Sequence, residues 1–216
     1  MALLGKAAVL IWNDVIDSEH DAFYRWHDKE HIPERLALPG FLRGRRYRGS
    51  GVTEWLTIYE AADLDVLTSP AYLARLNDPT PATRRTVQAF RNTARSICRI
   101  VRSAGESSGG HVLTMLVPEH FGFDRLAHAV AQDSGVLAAH LFAADEAASH
   151  IDTNESRERA FVVPKRVLLV ETSTLAAAQH AREWIAAGLA DDVRNGFDAQ
   201  SGVFTLEISR LPTHHH

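Results

Sequence analysis

The same order of elements (strand, helix, strand, strand, helix, strand) can be traced twice along the 216 residues, once on each side of a seam at residues 103–110. The seam reads SAGESSGG, and small polar residues of this kind make a flexible connection. In the first half, residues 7–12 are apolar and rich in β-branched side chains, which reads as a buried strand. A helix is expected over 20–31, with Ser18 or Asp21 available to cap its start. Pro33 has no N–H and disfavours helical backbone at Ile32, so the helix should kink or restart there, and the chain should turn at Leu38-Pro39-Gly40. Residues 41–48 and 55–60 read as a hairpin around Gly49-Ser50-Gly51. Ser69-Pro70 and Thr80-Pro81 each set a capping side chain ahead of a proline suited to the first helical position, and so open two pieces of a broken helix. A fourth strand is expected over 93–101.

The second half offers strands at 111–117, 136–142, 166–171 and 203–209. Helices fall at 123–133 and from 175 to about 190, the latter capped by Thr172 or Ser173. Residues 145–159 are polar and read as a mobile loop. These orders predict an α+β protein with tandem ferredoxin-like βαββαβ modules, 1–104 and 111–213, with 103–110 as the linker and 214–216 read as tag residues. Each antiparallel sheet carries its helices on one face and leaves the other bare. Leaving apolar side chains wet there would cost about 25 cal/mol per Å². A second sheet must therefore cover it, from the other module as an intramolecular pseudo-dimer or from another chain in a homodimer. Antiparallel sheets paired in this way keep their helices on the outer face, and the space between sheets is where a ligand is expected.

Twenty-three Lys and Arg against 27 Asp and Glu give a net charge of −4, which argues against nucleic-acid and anionic-membrane partners. The basic cluster Arg43, Arg45, Arg46, Arg48 is the exception. The lone Cys98 forms no internal disulfide and should be a buried, inert thiol. With neither a signal-peptide core nor an 18-residue apolar run, the chain is expected in the cytoplasm.

The titratable residues concentrate on the first helix. His20, Phe23, His27, Glu30 and Glu34 fall on one face, with Tyr24 and His31 at its edge. Ahead of a break at Pro33, free carbonyls and the negative end of the helix dipole should favour imidazolium at His31 and raise its pKa. Glu30 or Glu34 could then hydrogen-bond the ring and fix its tautomer. Such a histidine can serve as general acid or base on an enolisable or phenolic substrate, worth about 10²–10⁴-fold in rate. The competing interpretation is a solvated cap or a structural salt bridge. Residues 27–31 also fit the zinc-hydrolase spacing H-x-x-E-H, but three fixed positions in a histidine-rich helix are weakly specific and no distant third ligand is identifiable, so no metal is expected.

Alternation puts Trp55, Thr57 and Tyr59 on one face of their strand and Leu56 and Ile58 on the other. If the aliphatic pair packs on the helices, Trp55 and Tyr59 point into the space between sheets. Arg43, Arg45 and Tyr47 share a face of the neighbouring strand; an arginine there could anchor a carboxylate or phenolate, or serve as a solvated edge. Trp12 and Asn13 end the first strand, where they could line a pocket.

Residues 26–41, WHDKEHIPERLALPGF, with Trp12-Asn13 and the stretch SPAYLARLNDPTPATRR at 69–85, resemble the EthD-like members of the dimeric α/β-barrel superfamily. The resemblance covers essentially all of the first half; in the second it extends to element order alone. Glu30, His31 and residues 32–35 match the family pattern, whereas a tyrosine usually stands where this chain has His27, so the resemblance carries no role to His27. It implies a small-molecule metabolic enzyme that needs no cofactor and performs proton transfer, cyclisation, isomerisation or oxygenation on an aromatic or polyketide-like substrate. His31, Glu30 and His27 are then the candidate acid/base group, and Asn13, Tyr24, Trp26, Arg43, Tyr47, Trp55 and Tyr59 the candidate substrate contacts. A non-catalytic small-ligand or accessory protein is the alternative, and a haem or metal enzyme the second alternative.

Overall fold

A computed structural model describes residues 2–51, 53–133, 135–187 and 201–213. The part of the last expected helix beyond residue 187, and residues 214–216, lie outside the described residues. The first module contributes β1 (Ala7–Val15), β2 (Phe41–Gly51), β3 (Trp55–Ala61) and β4 (Phe90–Gly105); the second contributes β5 (His111–Leu116), β6 (Val136–Ala144), β7 (Arg166–Thr172) and β8 (Ser201–Arg210). All neighbours are antiparallel and the sheet closes on itself in the order β1-β3-β2-β8-β5-β7-β6-β4. Within each module the order is fourth, first, third, second strand, the ferredoxin-like arrangement. The modules join edge to edge through β2–β8 and β4–β6, so every sheet edge is paired and the barrel closes within one chain.

Period-two alternation sorts the strand residues into two layers. Ala8, Leu10 and Trp12 of β1, Leu56 and Ile58 of β3, and Val167 and Leu169 of β7 fill the lumen. Their outward neighbours meet helices: Ala7, Val9 and Tyr59 pack with Ile32, Leu36 and Leu67 outside the first module, and Leu113, Leu168 and Val170 pack with Leu126 and Ile185 outside the second. β3 runs opposite to the packing considered for it above. Leu56 and Ile58 face the lumen, and Trp55 and Tyr59 face the helices.

The helices of the first module are α1 (His20–Trp26), a π-helical turn His27–His31, α2 (Ile32–Leu36), α3 (Pro70–Asn77) and α4 (Pro81–Gln88). Ser69 and Thr80 cap α3 and α4 through hydrogen bonds from the backbone N–H of Tyr72 and Thr83, with proline at the first position of each. Pro33 does not end the first helix. A π-turn, in which the Ile32 N–H donates to the His27 carbonyl, precedes it, and α2 then continues the helical path. Gly44 on β2 lets this helix sit close to the sheet, since a Cβ there would lie 3.1 Å from Ile32 and 3.3 Å from the Tyr59 ring.

The second module carries α5 (Asp124–Gln132), α6 (Glu146–Ser149), α7 (Asn154–Arg157) and α8 (Leu175–Ala187). Residues 145–159, read as a mobile loop, form a strap that crosses onto the first module. Asp145 caps α6, Thr153 and Ser156 form a capping box on α7, and Ala148, Ser149, Thr153 and Glu155 are buried. Backbone hydrogen bonds tie its return path to β4: Arg95 N–H to the Val162 carbonyl (2.9 Å) and Val162 N–H to the Thr93 carbonyl (3.1 Å). No helix among the described residues is long and apolar enough to cross a membrane.

Candidate active site between the first helix and the barrel wall

The π-turn stacks His27 and His31 with ring centroids 5.8 Å apart and turns both toward the outer face of the sheet, where they are 3% and 5% exposed. Trp26 lies 4.2 Å from the His31 ring, and Trp26 Nε1 donates to Thr83 Oγ1 (3.0 Å), which fixes the indole against α4. Opposite stands Tyr59 of β3, its hydroxyl 3.1 Å from His27 Nε2. A cavity of about 20 Å³, room for roughly one water molecule, is lined by both histidines, Tyr59, Trp26 and Asn13, and by Glu155 and Arg159 of the strap.

The tautomer of His27 follows from its neighbours. Arg46 Nη1 lies 3.1 Å from Nδ1, and a guanidinium can only donate, so Nδ1 holds the lone pair and Nε2 carries the proton. Nε2 therefore donates to the Tyr59 oxygen, leaving the tyrosine's own proton for an acceptor other than His27. Burial first, and the Arg46 charge second, hold the His27 pKa well below its usual value. Arg46 is fixed in turn by Asp28 (2.5 Å) and Glu207 (2.8 Å) and lies over the Tyr24 ring, whose hydroxyl donates to Glu207 (2.6 Å). Both ring nitrogens of His27 are thus engaged, one by Arg46 and one by Tyr59.

His31 differs from the sequence expectation in the sign of its pKa. Because α2 continues past it, no free helix end stabilises an imidazolium. Burial, followed by the nearby Arg35 guanidinium, pushes its pKa well below the usual value, and the ring is neutral at pH 7. Its Nδ1 is buried without a hydrogen-bond partner; the nearest carboxylate oxygen, on Glu34, is 4.0 Å away. Glu30 does not orient it: its carboxylate accepts from Thr80, tying the π-turn to the start of α4.

The candidate residues thus divide. Asn13, Trp26, His27, His31 and Tyr59 meet at one cavity. Trp55 and Tyr24 lie further along the same helix–sheet seam, 6.1 Å apart between ring centroids. Arg43 and Tyr47 belong to the barrel interior: Arg43 pairs with Glu60 (2.7 Å), and Tyr47 is fully buried beside Arg45, its hydroxyl unpartnered and its pKa raised mainly by burial. Arg45 bridges Glu60 (3.2 Å) and, across the lumen, Glu171 (2.8 Å), so neither a solvated edge nor a free anion anchor describes it. Cys98 is buried, its thiol pushed up to about 12 by burial. Sequence reasoning missed Glu155 and Arg159; the cap patterns at Asp145 and Thr153 were the available signal that this stretch is structured.

No protein-family model and no curated protein matches the sequence. Solved structures do. An anthrone oxidase-like protein superposes with a TM-score of 0.61 at 11% identity, over 99% of this chain and 97% of the other. A candidate monooxygenase from Fusobacterium nucleatum gives 0.51 at 9% identity, over 97% and 96%. Another from Lactobacillus acidophilus gives 0.50 at 12% identity, over 96% and 97%. Likeness at such identities is likeness of fold, and over essentially its whole length the chain has the ferredoxin-like, dimeric α/β-barrel architecture.

Proposed function

We propose that the chain is an EthD-like small-molecule enzyme that works without a cofactor on a phenolic or enolisable aromatic, polyketide-like substrate. The first module (1–104) carries the chemistry; the second (111–213) completes the barrel and supplies the strap. The observation that carries this reading is His31: a buried imidazole held neutral on the wall of a cavity shared with Tyr59. Glu34 beside Nδ1 favours the ring proton there, which leaves the Nε2 lone pair as the acceptor. His31 takes a proton from a substrate O–H or C–H, and Tyr59 donates a hydrogen bond to the resulting phenolate or enolate oxygen. Imidazolium and enolate form together, so the buried site gains no net charge in the step. Proton transfer, isomerisation, cyclisation and oxygenation all begin in this way; oxygenation additionally consumes O₂. An aromatic ring exceeds the present cavity, so substrate enters by outward movement of the strap.

Anthrone, named in the description of one structural neighbour, is a suitable probe. Under nitrogen in D₂O, the protein should accelerate exchange of the hydrogens on its sp³ ring carbon, as followed by proton NMR. His31→Gln is expected to lower that rate by about 10²–10⁴-fold and Tyr59→Phe by less. Equal exchange rates with wild type and His31→Gln would overturn the assignment.

A second reading, a non-catalytic binder, has its own observation. The cavity at one end of the barrel is larger, about 260 Å³, and none of its lining residues is titratable; Trp12, Thr114, Met115, Leu116 and Phe204 are among them. Saturable anthrone binding that Thr114→Leu weakens and His31→Gln leaves alone would favour it.

A further inference from the structure

Under the strap not every guanidinium is paired with a carboxylate among the described residues. Arg159 lines both the His31 cavity and a second small cavity, the latter together with Arg95; beside them Arg35 pairs with Glu155 and Arg75 with Glu34 and Asp78. Glu155 is taken by Arg35 at 2.5 Å, and Glu34 by Arg75 at 3.1 Å. Among the described residues, the Arg95 side chain hydrogen-bonds the Tyr72 hydroxyl, at 3.4 Å, and no carboxylate. Arg159 lies over the Phe90 ring at 5.1 Å, and its Nε and Nη1 are buried with no acceptor.

A guanidinium carries five donors and cannot escape burial by losing its proton at neutral pH, so two unpaired donors out of water represent a standing cost. Burial, opposed by Glu155 and reinforced by Arg95 and Arg35, lowers the Arg159 pKa to about 10, which still leaves it charged. The side-on fork of a guanidinium is Nε with Nη2, as Arg43 shows on the two oxygens of Glu60 (2.7 and 3.1 Å), so the unpaired Nε of Arg159 belongs to an edge that matches a carboxylate, and its unpaired Nη1 adds a donor on the other edge. Arg159 lines both cavities, one of which it shares with His31.

We propose that Arg159 is a specificity-determining anion receptor, so that the substrate class is an aromatic phenol or enol bearing a carboxylate, which Arg159 pairs as the strap closes. The proposal rests on the helix–sheet cavity being the substrate site. The unpaired charge that the packed strap holds against the cavity is relieved when the anion arrives.

Thermal unfolding with benzoate and with benzyl alcohol tests it. Benzoate at about tenfold its Kd should raise the Tm of wild type by about 3 °C or more, and benzyl alcohol should not. Arg159→Met should lose the benzoate response and, having shed a buried unpaired charge, should be no less stable than wild type without ligand. His31→Gln should keep the benzoate response. A benzoate shift absent from wild type, or retained in Arg159→Met, overturns the anion receptor. Failure of the enzymatic reading appears separately, as anthrone exchange that ignores His31→Gln while the benzoate response still depends on Arg159.

Discussion

Glu171→Gln should destabilise the fold by about 3–5 kcal/mol, measured as a lower midpoint of denaturant unfolding at unchanged slope. Glu171 on β7 accepts from Arg45 Nη1 on β2 (2.8 Å) and from the Gly109 N–H (2.8 Å), and is fully buried. In the lumen, Arg43 and Arg45 face Glu60 and Glu171, two charges of each sign. Removing one carboxylate leaves Arg43 and Arg45, the latter 1% exposed, to share Glu60 with one positive charge uncompensated. The pair also crosses between modules, so its loss weakens closure of the barrel and not only one sheet. Adding Arg45→Met to Glu171→Gln should restore most of the stability, since an apolar side chain of similar length leaves no unpaired charge behind.

Acid should unfold the protein partly through its buried histidines. His140 is 1% exposed, and burial, helped by Arg45 and Arg43, lowers its pKa from 6.5 to about 3. Below pH 6.5 the unfolded chain binds a proton at this position and the folded chain does not. The stabilisation is therefore complete above about pH 6.5 and is lost as pH falls toward 3. His140 alone should contribute a loss of about 3 kcal/mol between pH 7 and pH 4. His27 and His31, also lowered, add in the same direction. Unfolding free energies of wild type and His140→Leu across that range should converge as the pH falls; parallel curves would show that His140 titrates alike in both states.

Much of this architecture was legible because local signals agreed with one another. Ser69-Pro70 and Thr80-Pro81 start helices through cap geometry that needs no tertiary information. The repeated element order predicted eight strands in two βαββαβ sets, whereas residues 103–105, read as linker, extend β4 and pair with β6. The phase of β3 was not legible for a physical reason: all seven of its residues are buried, so alternation separates two faces without saying which is the lumen. The restart expected at Pro33 is found as a π-turn leading straight into α2, so the free carbonyls assumed ahead of it are missing, which reverses the electrostatic argument made for His31. The strap escaped notice because its packing partners lie in the other module: Glu155 meets Arg35 120 positions away. Charge along the local sequence cannot reveal such a pairing.

The central claim is that His31 is a neutral, buried proton acceptor facing a ligand cavity. Ring ¹⁵N NMR of histidine-labelled protein, titrated from pH 7.5 to about 5 and then with anthrone, tests it most directly. The account predicts a His31 ring that stays neutral through ordinary imidazole titration near pH 6.5, a His27 ring protonated at Nε2, and a saturable shift of the His31 acceptor nitrogen on adding anthrone. A His31 ring that gains its proton near pH 6.5, or that is unmoved while anthrone binds, would contradict it.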